Sequence, residues 1–76
     1  MQVKIYTTNH CQYCKMAKEY FKQNNVKYTE VNVEENEAAA EEMIEKSGQM
    51  GVPVIDIDGA IIVGFNKPAI EKALKK

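Results

Sequence analysis

Several shortages shape the reading of this chain. It has two cysteines, one histidine and almost no charge imbalance, with a formal net charge of −1. No apolar run approaches the roughly 20 residues that a membrane span requires. The near-neutral balance removes the general electrostatic case for binding nucleic acid or an anionic membrane. The opening Met1-Gln2-Val3-Lys4-Ile5-Tyr6 turns polar too soon for the apolar segment of a secretory signal, so the expected location is cytoplasmic. A disulfide-stapled secreted domain would carry more cysteine pairs, closing longer loops. Here the two cysteines stand three positions apart, which in a reducing compartment points to redox chemistry or to metal. No linker, repeat or low-complexity stretch interrupts the chain, so residues 1–76 read as one domain with a thin core.

What is present is a clear succession of periodic segments. Residues 2–6 alternate, with Val3 and Ile5 on one face, and predict a short strand. Thr7 to His10 is a polar loop. From Gln12 to Gln23, Tyr13, Cys14, Ala17, Tyr20 and Phe21 recur on one helical face, with Lys15, Lys18, Glu19 and Lys22 elsewhere. Asn24-Asn25 ends that helix, because asparagine tolerates the left-handed conformation. Tyr28 to Val33 predicts a second strand, completing a βαβ unit and hence a parallel pair.

Asn36 caps a second helix that runs to Ser47 and stops at Gly48, with Ala39, Ala40, Met43 and Ile44 as its inner stripe. The glutamates at 34, 35, 37, 41, 42 and 45 read as a solvated acidic surface. Pro53 to Ile57, Asp58-Gly59 and Ile61 to Val63 form a hairpin signal, since Asp-Gly supplies the positive φ of a tight turn. Asn66 caps a last helix with Pro68 in its first turn and Ile70, Ala73 and Leu74 facing inward. The order β-α-β-α-β-β-α belongs to the α/β class. It predicts a four-stranded mixed sheet with three helices.

The chemistry lies in Cys11-Gln12-Tyr13-Cys14. Cys11 falls where the first loop becomes the first helix. A thiolate there meets unpaired N–H groups and the positive end of the helix dipole, so its pKa is expected below the ~8.5 of a free cysteine. Lys15 and a protonated His10 add further favourable charge. Cys14 lies one turn inside on the apolar face and is expected to be less exposed, with the higher pKa. This asymmetry suits dithiol exchange: one sulfur attacks a substrate disulfide, and the other resolves the mixed disulfide. The alternatives are a structural disulfide, a pair of inert thiols, or a metal or iron–sulfur module. Zinc usually takes four ligands, and a second ligand pair is missing here, so a metal centre would need another chain, carboxylates or an external thiol. Val52-Pro53 opens the third strand, where proline is tolerated; on the residues alone its peptide bond is expected to be trans.

Three motifs carry a family resemblance: Tyr6-Thr7-Thr8-Asn9-His10-Cys11-Gln12-Tyr13-Cys14, Gly51-Val52-Pro53-Val54-Ile55 and Val63-Gly64-Phe65-Asn66. In this order they resemble glutaredoxin-type members of the thioredoxin superfamily. The resemblance covers nearly the whole chain and implies a thioredoxin-like fold and disulfide reductase activity. It implies Cys11 as nucleophile, Cys14 as resolving thiol and Pro53 as a cis-proline beside them. By the same resemblance, Tyr13, Gln49, Val52, Pro53, Phe65 and Asn66 form a substrate or glutathione site. The expected protein is a monomer without a bound cofactor, its electrons coming from glutathione or thioredoxin reductase.

The departures are specific. Gln12 stands where typical glutaredoxins have proline, Thr8 where they have a basic residue, and Gly51 where they have threonine. Val63-Gly64-Phe65-Asn66-Lys67 replaces their Gly-Gly and paired acidic residues. The small glutaredoxin-like proteins of bacteria and archaea resemble Ser47 to Asp56 closely. The redoxins that serve ribonucleotide reductase resemble Gly64-Phe65-Asn66-Lys67-Pro68, and they take electrons from thioredoxin reductase.

Overall fold

Strand alternation decides how the layers assemble. The computed structural model describes residues 2–75. In β1 (Val3–Thr7), Val3 and Ile5 point to one side and Tyr6 to the other, so both faces of this strand need cover. The cover comes from α1 (Gln12–Gln23), α2 (Glu37–Ser47) and α3 (Lys67–Leu74). The remaining strands are β2 (Thr29–Asn32), β3 (Val54–Ile57) and β4 (Ala60–Val63).

The strands lie in the order β2-β1-β3-β4. β1 runs parallel to β2 and antiparallel to β3, which pairs antiparallel with β4. The expected mixed sheet and element order are therefore present, with strand ends shifted by about one residue.

One face carries the larger core. Val3, Ile5, Ile55, Ile57 and Ile62 from the sheet meet Ala17 and Phe21 of α1 and Ile70 and Ala73 of α3. The other face is smaller: Tyr6 and Val54 meet Met43 of α2, with Val31, Val33, Val52 and Ile61 at its margin.

Local signals end the elements as expected. Asn36 Oδ1 accepts from the Ala39 N–H at 3.1 Å, and Asn66 Oδ1 accepts from the Ala69 N–H at 3.3 Å. Gly48 closes α2 at φ 74°, where a side chain would be strained. Asp58 and Gly59 make the hairpin turn at φ 50° and 93°.

The structure corrects three expectations. Ile44 is 38% exposed and does not belong to the inner stripe of α2. At 100° per residue it is rotated away from Met43, while Glu42 and Lys46 swing toward the sheet. Tyr13 is 61% exposed although it lies on the helix flank assigned to the core. The Val52-Pro53 bond is cis, as the family resemblance implies, and not trans, as the residues alone suggest.

The acidic surface is also not uniformly solvated. Glu42 accepts from the Tyr6 hydroxyl at 2.6 Å and from Lys4 at 2.9 Å, and it pairs with Lys46 at 3.0 Å. Lys46 bonds onward to Asp56 at 3.0 Å. The Tyr6 hydroxyl, then Lys4 and Lys46, hold the Glu42 carboxyl down at about 2. Asp56 and Glu42 push the Lys46 ammonium well above its ordinary value. This network ties α2 to the sheet beside a small apolar core.

Candidate active site

Pairing brings the three motifs to one end of the sheet. β1 ends at Thr7, and the loop leading to Cys11 leaves from there. Val54 at the start of β3 pairs with Tyr6, so Val52-Pro53 enters at that same end. Val63 at the end of β4 pairs with Val54, and the Gly64 N–H donates to the Pro53 carbonyl at 2.8 Å. Phe65 and Asn66 follow directly. Three distant stretches thus converge because β1 and β4 end where β3 begins.

Cys11 is the N-cap of α1, with extended backbone at φ −132°, and its Sγ accepts from the Cys14 N–H at 3.1 Å. Its carbonyl accepts from the Lys15 N–H at 3.2 Å. The Cys11 sulfur therefore takes the role of a capping side chain on an otherwise unpaired donor. Cys14 is buried at 1% exposure, on the face that continues through Ala17 and Phe21, while Cys11 is half-exposed. The two sulfurs are bonded to each other, with Cα atoms 5.2 Å apart, inside the usual disulfide range.

The other expected site residues divide. Pro53 is buried and Val52 lies at the margin of the α2-side core. Phe65 is half-buried and meets Tyr20 edge-on, with ring centres 6.1 Å apart. It helps line an open groove of about 460 Å³ with Gln12, Lys15, Met16, Tyr20 and Lys67, along the flank of α1. Asn66 is exposed, and its side chain is committed to capping α3. The Gln49 side chain lies against Gly51: a Cβ there would stand 3.6 Å from its Nε2. Tyr13 projects into solvent one residue before Cys14 and does not line the groove.

Two polar clusters behind the cysteines were not foreseen. Buried Thr7 donates to Glu30 at 2.8 Å, and Lys18 of α1 donates to the same carboxylate at 2.9 Å. Lys18, then Thr7, pull the Glu30 carboxyl below the usual carboxylate range. In the loop, Asn9 donates through its backbone N–H and its Nδ2 to Glu34, at 3.2 and 3.0 Å. Asn32 donates to Asn9 Oδ1 at 2.7 Å, and the Glu34 N–H donates to Asn32 Oδ1 at 2.9 Å. The signal lay in the strand register. β1 and β2 pair at a constant offset, Lys4 with Thr29 through Thr7 with Asn32, and two further steps set Asn9 opposite Glu34.

Among the described residues, no group of three or more His, Cys, Asp or Glu side chains converges as a metal site. Among them also, no helix is long and apolar enough to cross a membrane.

A half-exposed and a buried cysteine sharing the first turn of a helix, on this sheet, fit a thiol–disulfide oxidoreductase of the thioredoxin fold. Residues 3–62 match the Glutaredoxin family. The chain is 51% identical over 74 residues to an uncharacterized glutaredoxin-like 8.6 kDa protein in the rubredoxin operon of Clostridium pasteurianum, covering 97% of this chain and 99% of that protein. It is 42% identical over 62 residues to glutaredoxin 3 of Escherichia coli (strain K12), covering 82% of this chain and 75% of that one. The glutaredoxin-like NrdH-redoxin of Escherichia coli superposes with a TM-score of 0.85 at 26% identity, covering 95% of this chain and 93% of that one. The chain belongs to the glutaredoxin family.

Proposed function

We propose that the protein is a cytoplasmic dithiol reductase of protein or low-molecular-weight disulfides. The observation that carries this reading is the asymmetry of the pair: Cys11 caps the helix and is half-exposed, and Cys14 is buried one turn in. After reduction, the Cys14 N–H and the helix dipole favour the thiolate at Cys11. That thiolate attacks one sulfur of the substrate disulfide. The substrate S–S bond breaks, a mixed disulfide forms on Cys11, and the first substrate thiolate leaves and takes a proton. Cys14, deprotonated as it reacts, attacks the Cys11 sulfur. The second substrate thiol leaves, and the protein holds the Cys11–Cys14 disulfide. Two electrons have moved to the substrate, and a two-electron donor must return them.

Glutathione and thioredoxin reductase are the two candidate donors. Thr8 stands where typical glutaredoxins have a basic residue that helps hold a glutathione carboxylate, Asn66-Lys67 falls where they have paired acidic residues, and NrdH-redoxin has a thioredoxin-like activity profile. In this reading Tyr13, Gln49, Val52, Pro53 and Phe65 border the bound substrate. The Lys67 N–H at the start of α3 receives a carboxylate, since Pro68 has no N–H and the Ala69 N–H is held by Asn66.

The test is a pair of substitutions in a disulfide-reduction assay. Cys11→Ser is expected to abolish turnover, and Cys14→Ser to accumulate mixed disulfides visible by mass. Wild-type turnover by Cys11→Ser would refute the reading. Running the assay with NADPH through thioredoxin reductase, then through glutathione and its reductase, identifies the donor.

A further inference from the structure

Cys11 is fixed from its C-terminal side by the helix it caps. Its Sγ holds the Cys14 N–H and its carbonyl holds the Lys15 N–H. From its N-terminal side the chain is a short polar loop, residues 8–10, which such bonds do not reach. That loop is anchored instead at Asn9, two residues before the cysteine, where backbone and side chain both bond to the Glu34 carboxylate. Glu34 is in turn held by Asn32, and Asn32 holds Asn9, so the three residues close a ring. The Val33 N–H donates to the Thr7 carbonyl at 2.8 Å, so the ring sits directly beyond the last parallel rung of β1 and β2.

From this geometry we infer that Asn9, Glu34 and Asn32 are positioning residues for Cys11: they hold the approach loop so that its sulfur stays on the helix N-terminus. The inference rests on the reading of Cys11 as the attacking thiol. Its physical basis is that small displacements of a reacting atom are costly in rate. A loop tied at one end by the strand and at the other by the helix, with a ring between, leaves the sulfur little room to leave its N–H donor. Release of the ring lets Cys11 sample positions without that donor, which weakens both the thiolate and its aim. Glu34 acts here through geometry. Its charge is exposed, and solvent screens its direct effect on the thiolate.

The test uses Asn9→Ala in the full chain, a substitution that changes no charge. Two quantities are read: the pH dependence of Cys11 alkylation and the second-order rate of attack on a small disulfide. Loss of the ring is expected to raise the Cys11 thiol pKa and slow attack roughly three- to tenfold, the scale of one or two lost hydrogen bonds. Glu34→Gln keeps one acceptor for the Asn9 N–H and is expected to fall between wild type and Asn9→Ala. Asn9→Ala combined with Glu34→Ala is expected to be no slower than the more impaired single variant, since both break the same ring. A lower unfolding midpoint for Asn9→Ala, with wild-type thiol pKa and wild-type attack rate, would mean that the ring merely braces the loop, and would overturn the inference. Wild-type turnover by Cys11→Ser would overturn the reading beneath it instead, so the two failures are distinct.

Discussion

The two faces of the sheet hold their helices by different physics. Toward α1 and α3 the contact is apolar, and nine buried residues meet there. Toward α2 three buried residues form a smaller core, beside a chain of charges from Lys4 through Glu42 and Lys46 to Asp56. Each face supports half of the candidate site. The apolar face sets α1, and so the cysteines. The charged face sets α2, and so the segment from Gln49 to cis Pro53 that follows it. The contrast teaches that the proline half should loosen more with acid and salt than the cysteine half, where the Lys18–Glu30 pair stands beside the larger apolar core.

The largest expected effect tests the apolar face. Phe21→Ala empties a site with no solvent exposure and is expected to cost about 3–5 kcal/mol of unfolding free energy. Urea unfolding measures it, and a loss below 1 kcal/mol would mean that α1 is held by something else. Next comes Glu30→Ala, which strips the buried Thr7 hydroxyl of its partner and frees Lys18. About 1–2 kcal/mol is expected from the same measurement. Tyr6→Phe probes the charged face. It removes the hydroxyl that Glu42 and Lys46 share, for about 1 kcal/mol.

Acid sharpens the same contrast. The Glu42 carboxyl is held near 2 in the folded protein, below its ordinary value near 4.5. A depressed carboxyl contributes stability above its unfolded pKa and loses it as pH falls through the folded one. Urea midpoints should therefore decline between about pH 5 and pH 2. They should decline less in Glu42→Gln, and equal slopes would separate the network from acid stability. The smallest effect belongs to Ile44→Ser, expected below about 1 kcal/mol because that residue is already 38% exposed.

Much of this was legible in the sequence, because short-range rules dictate it. Asn36, Asn66, Gly48 and Asp58-Gly59 mark their boundaries through their own backbone chemistry. Cys11 and Cys14 divide into capping and buried positions by helical spacing alone. What was not legible depends on distance. The Asn9–Glu34 ring requires the offset between β1 and β2, which helix α1 and its loops separate. Ile44 looked internal because hydrophobicity marks a stripe without saying how wide a stripe the sheet covers. Glu42, by contrast, looked solvated, and only the neighbouring Lys4 and Tyr6 on β1 give its carboxylate a reason to turn inward. The cis geometry of the Val52-Pro53 bond was legible only through the family resemblance, since both isomers are close in energy for an isolated chain.

The strand order has a consequence outside redox chemistry. It leaves β2 and β4 with an unpaired edge each. The β2 edge carries Glu30 and polar neighbours that discourage another chain from docking. The β4 edge reads Ala60-Ile61-Ile62-Val63, without a charge, and Val63 is 45% exposed. Its protection against intermolecular sheet growth is brevity, four residues ended by a turn and a glycine. Lengthening that hairpin in a redesigned variant would trade solubility for reach, and a lysine at position 63 is the natural safeguard.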